Sequence, residues 1–100
     1  MNSFDWFQRW FESHCDGDWE HGEGIKLQSL DNPGWMLTVD LDDTDLEDRP
    51  FQRVQCDRSE SDWIHCWVED GRFEGRCGPL NLGSVLESFR VWAEAQRTRS

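Results

Sequence analysis

Two stretches at opposite ends of this chain repeat apolar residues at helical spacing, and any fold must hide both stripes. In the first, Phe4, Trp6, Phe7, Trp10, Phe11, His14 and Cys15 fall on one half of a helical wheel, and Asp5, Gln8, Arg9, Glu12 and Ser13 on the other. Ser3 suits its N-cap and Asp5 its first turn, and Asp16-Gly17-Asp18 marks its end. The second stretch runs from an Asn81 cap to about Gln96, with Leu82, Val85, Leu86, Phe89, Trp92 and Ala93 forming the stripe.

Between them the period changes from helical to alternating. Ile25 to Gln28 reads as a short strand. Asp31-Asn32-Pro33-Gly34 is a turn device, in which Asp and Asn bond locally, Pro fixes φ and Gly permits positive φ. Trp35, Leu37, Val39 and Leu41 then alternate with Met36, Thr38, Asp40 and Asp42, the clearest strand in the chain. Phe51 to Asp57 is a weaker strand. Trp63 to Glu69 is bulky on both faces, and Asp70-Gly71 turns it back into a strand over Arg72 to Cys77. Turns this short predict antiparallel pairing of successive strands. The expected fold is therefore α+β: one domain over 1–100 with its core at about 4–95, a five-stranded antiparallel meander, both helices on one face, and a frayed tail over 97–100.

The chain is 100 residues long, with 21 Asp and Glu against 10 Lys and Arg, a formal net charge of −11. That balance argues against binding a nucleic-acid backbone or an anionic membrane, both of which need basic side chains, and points to a basic partner. No apolar run is long enough for a transmembrane helix, and Met1 to Phe11 lacks the pattern of a secretory signal. The expectation is a cytoplasmic protein whose four cysteines, Cys15, Cys56, Cys66 and Cys77, are reduced thiols.

Sites of chemistry are hard to assemble from this sequence. No C-x2-C pair appears, and His65 and Cys66, adjacent on a strand, point to opposite faces, so no metal and no cofactor is expected. A Cys15–His21 pair lacks any nucleophile context, and among so many acids paired carboxylates arise by chance, so no catalytic residue is assigned. The acids of Asp40, Asp42, Asp43, Asp45, Glu47 and Asp48 lack the spacing of a calcium loop. Their crowding costs self-repulsion that a basic partner would relieve, although a charge run is commonly just a solvated connection. Trp19, Trp35 and Trp63 suggest a second reading, a carbohydrate- or ligand-stacking platform.

Several runs resemble the immunity protein 53 family: Cys15-Asp16-Gly17-Asp18-Trp19-Glu20-His21, Gly24-Ile25-Lys26, Leu30-Asp31-Asn32-Pro33-Gly34-Trp35, Leu46-Glu47-Asp48-Arg49-Pro50-Phe51, Asp62-Trp63-Ile64 and Gly78-Pro79-Leu80-Asn81-Leu82. The similarity spans roughly residues 4 to 95. Members of this family are small bacterial proteins encoded beside polymorphic toxins. The resemblance implies a protein that binds and neutralises a cognate toxin in the producing cell, and it implies no enzymatic activity. The free protein is expected to be monomeric. A toxin that attacks nucleic acid has a basic cleft, to which an acidic inhibitor is steered. The contact residues expected on this reading are Asp18, Trp19, Glu20 and His21 in a glycine-flanked loop, the acids from Asp40 to Asp48, and Trp63 and Trp67 on one face of their strand. The alternatives are that Trp19 packs over the first helix while Glu20 and His21 fix the loop, and that the loop from Gly17 to Gly24 covers Trp63 and Trp67.

Overall fold

A computed structural model describes residues 1–97. Helix α1 spans Ser3–His14, followed by strands β1 (Ile25–Leu30), β2 (Gly34–Asp40), β3 (Val54–Asp57), β4 (Trp63–Glu69) and β5 (Arg72–Cys77), and helix α2 (Leu82–Arg97). The class is α+β, as the alternating and helical periods predict. Helix α2 reaches Arg97, and the rest of the expected tail, 98–100, lies outside the described residues.

All five strands are antiparallel, but the sheet is not a simple meander: its order is β1-β2-β5-β4-β3. β2 pairs with β5, Leu37 opposite Gly75 and Val39 opposite Phe73, and β3 lies at the far edge against β4. The cause is the connection between β2 and β3, which is not a tight turn. Leu41 and Leu46 are buried in it and pin it under the domain. Pro50 then accepts the Trp92 indole N–H at 2.7 Å, and Phe51, expected in a strand, instead packs inward on Phe73 and Trp92. The chain is thus carried past two strand positions before β3 begins, and β5 and β4 fill them.

One face of the sheet carries Leu37, Val39, Ile64, Cys66, Phe73 and Cys77, all buried. Both helices lie on it. Phe89 of α2 sits at the centre, fully buried, with ring contacts to Phe7 (5.5 Å), Trp10 (5.0 Å) and Phe73 (5.0 Å). Gly75 sets the distance of α2: a Cβ there would lie 2.6 Å from Val85 Cγ1, so only glycine allows the helix this close to β5.

Helix starts differ in detail from expectation. The cap of α1 is Asn2, whose side-chain oxygen accepts the Asp5 N–H at 2.8 Å; Ser3 is already helical, and its hydroxyl bonds Glu87 of α2. Asn81 starts α2 through its backbone carbonyl, which accepts from Ser84 and Val85. Its side chain faces the sheet, accepting the Trp63 N–H and donating to Asp62. The Asp31–Gly34 turn forms as expected, with a different role for its glycine: Gly34 does not have positive φ, and a Cβ on it would lie 2.2 Å from the Cys77 carbonyl oxygen. No helix among the described residues is long and apolar enough to cross a membrane.

Candidate partner interface

The loop after α1 is held together by its own acids. Asp16 Oδ1 accepts the N–H groups of Asp18 (2.9 Å) and Trp19 (3.0 Å), and the Glu20 carboxylate accepts those of Asp16 (2.9 Å) and Gly17 (2.7 Å). The backbone N–H groups of Trp19 and Asp18 hold the Asp16 carboxyl below its ordinary range. Those of Glu20 itself, Asp16 and Gly17 do the same for Glu20. Glu20 therefore closes the loop and is half-buried, whereas Asp18 and His21 are exposed.

Trp19 is not an exposed anchor. It is 6% exposed and packs on Trp10, Phe11 and His14 of α1, while its indole N–H donates to the Asp40 carbonyl oxygen at 3.1 Å. A large apolar ring in a loop of Gly and Asp has only this pocket in which to leave water, and the Asp40 carbonyl satisfies its one polar atom.

The same contact staples the two acidic loops together. Asp40 N–H donates to Gly24 O at 2.9 Å, and Leu41 N–H donates to Gly71 O at 2.9 Å, which adds the β4–β5 turn to the cluster. His14 Nε2 lies 3.3 Å from Asp45 Oδ1 and ties α1 to the second loop. That loop is also built by its acids: Asp40 Oδ1 accepts from Asp42 N–H, and Glu47 Oε1 accepts from Asp43 N–H. Asp43, Asp48 and Asp70 adopt left-handed φ values of 66°, 60° and 53°, a conformation that Asp tolerates better than most residues. Asp42, Asp43, Asp45, Glu47, Asp48 and Asp70 are exposed; Asp40 is half-buried. Three loops thus gather carboxylates at one end of the sheet.

Trp63 and Trp67 project from the sheet face opposite the helices, since their neighbours Ile64 and Cys66 point into the core. Both are half-buried. The loop over 17–24 does not cover them, because Trp19 draws it onto α1. Trp67 lies between two guanidiniums, Arg53 at 5.2 Å and Arg76 at 5.4 Å from the ring centroid, and its indole N–H donates to Glu69. Trp63 stands roughly 13 Å along the strand with His65 between them, edge-on to Trp63 and 2.8 Å from Asp57. That His65 bond is the first cause holding the Asp57 carboxyl low. Glu69, Arg72 and Asp40 continue this face into the acidic end.

The three tryptophans proposed as a sugar platform do not form one. Trp19 is buried, Trp35 lies on the helix side with its N–H donating to Pro79 O, and Trp63 lies on the opposite face. Asp31, Asn32 and Pro33 form an exposed turn remote from the acidic loops, at the other end of β1.

Among the described residues no group of three His, Cys, Asp or Glu side chains could hold a metal ion. Cys66 and Cys77 are buried in the core, and burial, with Cys77 nearby, pushes the Cys66 thiol up to about 12, so it is protonated at neutral pH. Cys15 and Cys56 are exposed and unpaired with other thiols.

The profile of immunity protein 53 matches residues 4–94. The chain belongs to the immunity protein 53 family. Membership supports a toxin-immunity role in general, and an inhibitor rather than an enzyme. No curated protein and no solved structure matches the chain.

Sequence reasoning missed the Arg53–Trp67–Arg76 stack, because Arg53 precedes β3 and reaches Trp67 only through the β3–β4 pairing. It also missed how little of β1 the first helix covers. Leu27 is 51% exposed and Phe4 59% exposed, although both belong to apolar stripes.

Proposed function

We propose that this protein neutralises a cognate toxin by stoichiometric binding inside the cell that makes both, and that its acidic end is steered onto a basic cleft, as in a toxin that cleaves nucleic acid. The observation that carries the reading is the stapling of three loops by Trp19, Gly24 and Gly71, which collects exposed carboxylates from Asp18, Asp42, Asp43, Asp45, Glu47, Asp48 and Asp70 on one side of a chain of net charge −11. A basic cleft that normally holds phosphates presents the complementary potential, and rigid loops keep the carboxylates in place without a large ordering cost on binding. Trp67 and Trp63 on the adjoining sheet face supply aromatic contact area beside the charge.

The test is association with the toxin domain encoded by the adjacent reading frame, measured at several salt concentrations. Between low and physiological ionic strength the on-rate falls by about tenfold or more, with a smaller change in dissociation. The triple variant Asp42→Asn, Asp43→Asn, Asp48→Asn keeps left-handed backbone accessible and slows association in low salt. An on-rate indifferent to both salt and these substitutions refutes electrostatic docking, and a toxin that stays active in the presence of excess protein refutes neutralisation.

A further inference from the structure

The first strand offers a second, different kind of surface. β1 is a terminal strand of the sheet, paired among the described residues only with β2. Its register places Ile25 opposite Val39, hence Gly24 opposite Asp40, and Asp40 N–H donates to Gly24 O. In an antiparallel ladder hydrogen-bonded pairs alternate. Lys26, Gln28 and Leu30 therefore turn their backbone groups towards β2, and Ile25, Leu27 and Ser29 turn theirs outward. The next ladder agrees: Leu41, of the opposite parity on β2, donates to Gly71 at the start of β5.

The side chains of these outward-bonding residues point to the helix side, in line with Val39, Leu37 and Trp35. There α1 falls short. Phe4, Phe7, Gln8, Phe11 and Ile25 line an open groove of about 390 Å³, and Leu27 extends the apolar surface along the strand. Among the described residues nothing pairs with these outward backbone groups, and the same strand borders an open apolar groove.

Charge selects the occupant. Glu23 and Asp31 flank the two ends of β1, α1 exposes Asp5 and Glu12 with Arg9 on its other side, and Lys26 is already held by Glu23 at 3.0 Å. A second copy of this chain would bring another −11 to the same edge. We propose that β1 accepts an extended segment of the toxin as a sixth strand. Apolar side chains at alternate positions of that segment enter the groove, and Lys or Arg residues meet the surrounding acids. The proposal rests on the toxin-binding reading above and names a surface for it.

Amide exchange followed residue by residue, with the adjacent-frame toxin domain as the probe, decides the matter. In the free protein the amides of Ile25, Leu27 and Ser29 exchange fast and those of Lys26, Gln28 and Leu30 slowly. In the complex the first three become protected as well. Leu27→Pro removes one outward N–H and leaves the β2 ladder intact; it weakens binding about tenfold or more, from the lost hydrogen bond together with the lost Leu27 apolar contact, whereas Val91→Ala, on the exposed side of α2, leaves affinity unchanged. A tight complex in which Ile25, Leu27 and Ser29 still exchange fast overturns the added strand and leaves neutralisation standing. No complex at all overturns both readings. A free protein that is dimeric, with those three amides already protected, assigns the edge to a second copy and overturns the choice of occupant.

Discussion

Replacing Phe89 by Ala removes the side chain on which both helices and the sheet converge. The ring is fully buried and contacts Trp6 (6.0 Å), Phe7 (5.5 Å), Trp10 (5.0 Å), Phe73 (5.0 Å) and Trp92 (6.0 Å), mostly edge-to-face. Transfer of a buried Phe side chain contributes about 1.5–3 kcal/mol, and the cavity left behind raises the usual cost of Phe→Ala to about 3–5 kcal/mol. Favourable aromatic pairs add roughly 0.5–1.5 kcal/mol each, and here five rings lose their partner, so the upper end, about 4–5 kcal/mol, applies. A domain of this size has about 5–15 kcal/mol in total, and each kcal/mol moves Tm by about 4–8 °C, so the variant melts some 20 °C lower or fails to fold at ambient temperature. Phe89→Leu, which keeps most of the volume, costs about 1–2 kcal/mol and remains folded. Urea unfolding followed by tryptophan fluorescence measures both variants, and an unchanged slope shows that the same surface is exposed. A loss below about 1.5 kcal/mol for Phe89→Ala would refute the central role of this ring.

Two further outcomes follow from the same geometry. Gly75→Ala forces Val85 and α2 away from β5 and costs about 1–3 kcal/mol in thermal unfolding; adding Val85→Ala recovers part of that loss, and strict additivity of the two would show that their contact is not the cause. Stability against pH has two limbs: Asp16, Glu20, Asp57 and Asp62 have lowered folded pKa values, so their contribution is present above the ordinary carboxylate range and is lost as pH falls through it, while the raised Cys66 thiol is favourable below pH 9 and its contribution is lost as pH rises towards 12. Cys66→Ala removes its share of the alkaline limb in a urea titration, and an identical alkaline slope in the variant would assign that limb elsewhere.

The periods of the chain reveal its elements but not their neighbours. β4 and β5 occupy the expected residues because each alternates and Asp70-Gly71 joins them with two left-handed residues in succession. The pairing of β2 with β5 leaves no such local mark. It depends on Leu41, Leu46 and Phe51 burying a connection whose acids read as solvated chain. Trp19 stays open between anchor and helix packing for a related reason: its loop is polar, and the pocket that buries it is made by Trp10, Phe11 and His14 of another element. Phe4 and Leu27 fail in the opposite direction. A stripe shows which way a residue faces, not whether the covering element extends far enough to reach it.

The acidic loops are where these lessons meet function. Their charge is plain in the sequence, yet the carboxylates do not all do the same thing. Asp16, Glu20, Asp40 and Glu47 accept backbone N–H groups and set the shape of the loops, while the carboxylates of Asp18, Asp42 and Asp48 accept none from the described residues and project charge. An amide retains an oxygen that accepts the N–H bond but loses the charge, so Asn or Gln at the first group tests field with shape preserved, and Ala there removes both. At the second group Asn and Ala both remove the charge, and they differ only at Asp48, whose left-handed φ disfavours Ala. If partner binding follows potential, loss of affinity in low salt tracks the number of charges removed across both groups. If it follows loop shape, only the Ala variants of the first group and Asp48→Ala weaken it, and salt has no influence on the difference.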